Sequence, residues 1–150
     1  MAEVQTTYTE FPAAGYPGMV ANGETSNRIT RTCEDAGGIG FGVAAFRGTG
    51  DHGCTATPAA GAFLGMTIAH EALGRLAGQD ADEYPQYENV AIMTQGVIWV
   101  TAGEAVTDGA QAYATSGGAI VDTVGSNVIL PGWFFDTTGA NGALVKLAKR

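Results

Sequence analysis

The sequence predicts an all-β fold, mainly antiparallel, as a sandwich or small barrel with an extended N-terminal arm and at most one short helix. Three observations lead there. Short runs rich in β-branched and aromatic residues recur from residue 38 onward, most of them too short for an ordinary helix. Asp108-Gly109, Ser116-Gly117-Gly118 and Asn141-Gly142 separate several of them, and tight hairpin turns need the positive φ that Gly and Asn tolerate. Glycine supplies 23 of 150 residues and charged residues only 15%, against about 7% and about 25% in an ordinary domain. That composition suits many turns and a lightly charged surface. The length is one domain's worth and needs no disulfide or metal staple to fold.

Residues 1–27, "MAEVQTTYTEFPAAGYPGMVANGETSN", read as an extended arm. Pro12 and Pro17 lack a backbone donor, glycine disfavours helix, and Tyr8, Phe11, Tyr16 and Met19 follow no clear period. Such an arm is ordered only where something ties it down. Residues 28–150 form the β-rich domain. Residues 37–50, "GGIGFGVAAFRGTG", are glycine at six of fourteen positions. Within them "IGFGVAAF" alternates as a strand and stops at "RGTGDHG". The segment "MTIAHEALGRLAG" (66–78) places Ala69, Ala72, Leu73 and Leu76 on one helical face, while Leu64, Met66 and Ile68 alternate. The preferred reading is a strand to about Ala69, then at most a short helix. Strands follow at 89–100, with Gly96 as a bulge or close approach, and at 110–115, 119–124, 127–135 and 143–148. Pro131 breaks the 127–135 strand or sets it at an edge.

Net charge is −8, and no Lys or Arg occurs from Leu76 to Val145, although eight carboxylates fall there. Nucleic-acid binders draw their affinity from cations on phosphates, so that role is excluded. Cations cluster elsewhere, ending in Lys146, Lys149 and Arg150, which could meet an acidic protein surface. Cys33 and Cys54 are too few for a disulfide framework. The N-terminus lacks the basic start and apolar core of a signal peptide, and no run nears the ~20 apolar residues of a membrane span. The expectation is a soluble chain made in a cytoplasm.

Gly40-x-Gly42-x-x-Ala45 matches a loose dinucleotide fingerprint, which works only between a buried strand and a helix N-terminus. Here "RITRTCEDAG" is too polar for a buried parallel strand, and more glycine follows before three helical turns could form. The glycines therefore serve strand and turn, and no cofactor is expected. His70-Glu71 begins like a zinc-protease helix but has Gly74 where the second His belongs, and His52 with Asp51 and Cys54 is an incomplete ligand set. No metal or catalytic group is assigned. Glu104, Asp108 and Asp122 flank turns, where carboxylates commonly cap amides. In "GWFFD" (132–136), Phe134 and Phe135 point to opposite faces, so an outward aromatic, Trp133 or Phe134, is a candidate intersubunit anchor.

Three stretches carry a resemblance: "TTYTEFPAAGYPGMVAN" leading into "GIGFGVAAF"; "AFLGMTIAHEAL"; and "YENVAIMTQGVIWVTAGEAVTDGAQAYATSGG" with the closing "LPGWFFDTTGANGALVKLAKR". Together they cover most of the chain, which resembles the phage structural cement family, the capsid decoration proteins. The resemblance implies a non-enzymatic homo-oligomer, a trimer in preference to a dimer, on the outside of an icosahedral phage head. There it would bridge neighbouring major capsid subunits as part of the virion. Tyr8, Phe11, Tyr16, Met19, Lys146, Lys149 and Arg150 are the candidate capsid contacts on residue type. The alternative is a β-sandwich carbohydrate-binding module of a tail-associated or surface protein, which predicts a planar row of exposed aromatics.

Overall fold

One long strand, β7 (Asn89–Thr101), organises the molecule. The computed structural model describes residues 13–70 and 82–150. The first half of β7 belongs to a closed ring with β1 (Asn27–Cys33), β3 (Ala44–Arg47), β4 (Gly53–Thr55) and β5 (Phe63–Thr67). The order runs β1-β4-β3-β5-β7, and β7 then pairs back to β1 from Asn27↔Gln95 to Thr32↔Asn89. All these pairings are antiparallel except β1–β4, where Cys33 lies opposite Cys54.

The second half of β7 continues the sheet through β11 (Leu144–Lys149), β10 (Val128–Phe135), β8 (Gln111–Ala114) and β9 (Ile120–Val121). A parallel bridge from Ile120 to Ala102, one residue past β7, bends this half back on itself as well. The sheet thus forms a small barrel and not two flat layers. A separate two-stranded pair joins β2 (Ile39–Gly40) to β6 (Glu83–Tyr84).

Two cores result, and β3 and β7 feed both. Cys33, Ile39, Ala45, Cys54, Tyr84, Val90 and Ile92 fill the first ring. Ala44, Phe46, Met66 and Met93, on the opposite face of the same strands, pack with Ile98, Val100, Leu130, Trp133, Phe135 and Leu147 in the larger core. A strand buried on both faces reads as a continuous apolar run, which describes "AAF" and "VIWV".

The described part of the arm is tied down by backbone. Val20 bridges Ile98, the Ala21 amide donates to the Val97 carbonyl (2.9 Å), and the Trp99 amide donates to Met19 (2.9 Å). Gly18 donates to Trp99 and accepts from Ala69, both at 2.8 Å. The arm therefore covers the edge of β7 that β11 leaves open.

Most expected strands stand where the residue pattern placed them, with informative differences. The polar segment before Gly40 is a strand after all, because β1 needs only its Ile29 and Cys33 face inside and exposes Arg28 and Thr30. "IGFGVAAF" is two strands, divided at Gly42, whose φ of +67° no side-chain-bearing residue adopts easily. Met66 and Thr67 end β5, and residues 68–70 are not helical; the rest of the helix candidate lies outside the described residues. Among those described there is no helix.

Gly96 (φ +132°) sits beside a register shift, and a Cβ there would lie 2.9 Å from Met93 Sδ. At Pro131 the β8–β10 ladder is interrupted between Ile129 and Phe134. The Gln111 Nε2 fills that gap, donating to the carbonyls of Leu130 (2.7 Å) and Trp133 (2.9 Å).

Candidate attachment surface

The glycine-rich turn does hold an anion, and the anion is the protein's own. Glu34, just after β1, accepts the Thr49 amide at 2.8 Å and the Gly50 amide at 2.7 Å. A Cβ at Gly48 or Gly53 would strike this carboxylate, so the glycines make its seat. The Gly50 and Thr49 amides hold the Glu34 carboxyl below the usual range. Asp35 next to it accepts the Thr55 hydroxyl (2.6 Å) and the Ala56 amide (2.8 Å). The cradle is filled.

The other chemical candidates are not brought together. His52 and Asp51 are exposed on this turn, while Cys54 is fully buried inside the ring. His70 is exposed, and Glu71 lies outside the described residues. Among the described residues no three His, Cys, Asp or Glu side chains are grouped to hold a metal. Cys33 and Cys54 are free thiols, and burial pushes the Cys54 thiol up to about 12. Glu104 accepts the amides of Asp122 (3.0 Å) and Thr123 (2.9 Å), and Asp122 accepts that of Thr107 (3.0 Å). Two of the three turn acids are thus caps.

The contact candidates fall into three groups. Tyr8 and Phe11 lie outside the described residues. Tyr16 is 41% exposed, whereas Met19 is half-buried, with its carbonyl on β7. At the C-terminus, Lys146 Nζ sits 5.2 Å from the centroid of Trp99, the residue opposite it on β7. Gly15 of the arm passes so near this indole that a Cβ would lie 2.7 Å from Cδ1.

Arg150 pairs with Glu24 of the arm (2.8 Å) and Asp136 after β10 (3.2 Å). Its guanidinium holds the Glu24 carboxyl below the usual range, with help from Asn22. The arm, the C-terminus and the end of β10 are thereby clipped together, and a cleft of about 470 Å³ runs along the seam past Glu24, Gln95 and Lys149.

Trp133 corrects one expectation. It is fully buried in the larger core, because the bulge at Pro131-Gly132 turns it inward, and it offers no surface to a neighbour. Among the described residues its indole N–H has no partner. Phe134 does face out, at 44% exposure. Phe134 stands opposite Gln111 and Ile129 opposite Tyr113. Gln111 and Tyr113 are two apart on one strand, so these side chains share an outer face.

Ile129, 48% exposed, was not singled out from the sequence, since strict alternation puts it on the face away from Phe134. Tyr87, 78% exposed, was missed entirely; its signal was an aromatic among turn formers.

The fold and site define a small closed β-barrel, stiffened by internal caps, with an arm clipped along its edge and aromatic side chains facing outward. The chain belongs to the structural cement protein family: the family model described as "Structural cement protein (E217 gp24/Pam3 gp6)" matches residues 4–149. Membership makes it a component of the phage virion with a capsid decoration role, structural in kind.

Among solved structures, the chain is similar to one in "The capsid of Myoviridae Phage XM1", at 12% identity, TM-score 0.72, covering 97% of this chain and 96% of that one. It is also similar to "The crystal structure of head fiber gp8.5 N base in bacteriophage phi29", at 14% identity, TM-score 0.48, covering 84% and 95%. No curated protein matches. The carbohydrate-module alternative is not favoured: one indole is in the core and the other is overlain by Gly15 and Lys146.

Proposed function

We propose that the chain binds the outer face of an icosahedral head, bridges neighbouring major capsid subunits and holds the expanded shell together. The family match across residues 4–149 carries this reading. The mechanism is linkage: a ligand that binds only the assembled lattice stabilises it by mass action. Several contacts per copy make detachment slow through effective concentration. A stiff barrel suits such a bridge, because little ordering entropy opposes binding.

Tyr8, Phe11, Tyr16 and Met19 of the arm meet capsid protein, with Lys146 and Lys149 adding charge. Arg150 contributes less free charge than its residue type suggests, since Glu24 and Asp136 hold it. The outer face of Phe134, Ile129 and Tyr113 meets a second copy of the chain, in a trimer in preference to a dimer. The chain performs no catalysis and needs no cofactor in this role.

Deleting residues 1–12 removes Tyr8 and Phe11 but keeps the bonds that tie residues 18–21 to β7 and residue 69. Loss of head binding by a folded deletion variant supports the arm's role, and undiminished binding refutes it. Light scattering on Phe134→Ser tests the second-copy face, where a mass unchanged from the wild-type oligomer would overturn the assignment.

A further inference from the structure

We propose that Tyr87 is a pre-set anchor through which one end of the first ring engages a protein surface bearing arginine or lysine on the shell. The inference rests on the capsid-decoration reading above. Tyr87 is the most exposed large apolar side chain among the described residues, at 78%, yet its φ is +70°. That region disfavours any residue with a Cβ, and glycine or asparagine would sit there at less cost. The ring repays nothing locally, as it makes no hydrogen bond or ring contact with the described residues. A strained backbone carrying a solvent-facing aromatic points to a contact made outside the chain.

The turn is also locked. The Tyr87 amide donates to the Cys33 carbonyl (2.8 Å), the Cys33 amide to Glu88 (2.9 Å) and the Glu88 amide to Pro85 (3.1 Å). Gln86 Nε2 adds a bond to the Glu34 carbonyl (3.2 Å). With its backbone pinned to β1, the Cα–Cβ bond of Tyr87 points in a fixed direction, and binding has only the side-chain rotamers left to order.

Charge defines the partner. The His52 carbonyl accepts the Thr32 amide on the other side of β1, so the Asp51-His52 turn lies about two strand spacings, roughly 10 Å, from Glu88. Among the described residues, exposed Asp51 and Glu88 stand at this end with Glu83 and the amide-bound Glu34 and Asp35, against Arg31 and Arg47. A net-acidic rim around a projecting aromatic fits a slot lined by cations, which would gain both ion pairing and contact with the ring face.

The test uses expanded heads of the phage that encodes the chain, prepared without it, and full-length protein in co-sedimentation. Tyr87→Gly should raise the melting temperature by a few degrees while weakening head binding about tenfold or more. Tyr87→Asn should repeat the binding loss, and Tyr87→Phe should bind nearly as wild type. Glu88→Lys should weaken binding, and tighter binding by that variant would overturn the assigned partner chemistry. Wild-type binding with Tyr87→Gly within about twofold of it overturns the anchor alone. A wild-type chain that ignores the heads overturns the decoration reading and the anchor with it.

Discussion

At the scale of single residues, small side chains and short-range electrostatics set the strand spacing and stiffen the turns. Gly65 sits on β5 where a Cβ would lie 2.2 Å from the Met93 carbonyl oxygen. Gly65→Ala should therefore cost about 1–3 kcal/mol by overpacking, read by urea denaturation. Glu24, Glu34 and Glu104 all have carboxyls held below the ordinary 4.5 by the groups that bind them. A carboxyl whose folded pKa is depressed contributes stability above its unfolded pKa, and that contribution is lost as pH falls through the folded value. Thermal melts should be flat near neutrality and fall below about pH 4.5, with Glu34→Gln less acid-sensitive than wild type. The Cys54 thiol, raised from 9.0 to about 12, works in the opposite sense. Its contribution is whole below the unfolded pKa and is lost as pH rises towards 12. A thiol reagent at neutral pH should label neither cysteine until the chain unfolds. Of these features the sequence showed the glycines and the acids, but not that they meet. Glu34 lies fifteen residues before the turn it fills, and no local pattern joins the two.

At the scale of elements, legibility followed periodicity. The 89–100, 127–135 and 143–148 runs are strands within a residue or so of those bounds, because their apolar content is dense. β1 escaped because only one of its faces is buried, and "NRITRTC" carries its polar half in plain view. Phe134 and Ile129 share a face only because the bulge at Pro131 shifts register, which the proline hinted at without fixing. Gln111 is the part of that bulge no pattern reveals. Gln111→Ala leaves the Leu130 and Trp133 carbonyls without that donor and should cost about 1–3 kcal/mol, read by the urea midpoint. The clip from Arg150 to Glu24 is exposed, so Arg150→Ala should change global stability little. Its effect should appear instead as faster amide exchange at Gly18 and Ala21, whose amides bond the Trp99 and Val97 carbonyls of β7.

At the scale of the whole molecule, the all-β class was legible from turn chemistry, but the closure was not. Nothing local says that β7 pairs with β5 and β1 in its first half and with β11 in its second, or that β1 and β4 run parallel. Those pairings depend on contacts distant in sequence. The closed barrel makes the chain a stiff body, and the cement family gives that body its place on the virion. The measurement that tests this most directly is the thermal disruption of expanded heads, prepared without the chain and then titrated with it. The account predicts saturable co-sedimentation and a disruption temperature that rises with occupancy. Protein that stays in the supernatant, or heads that bind it yet break at an unchanged temperature, would contradict a cement role.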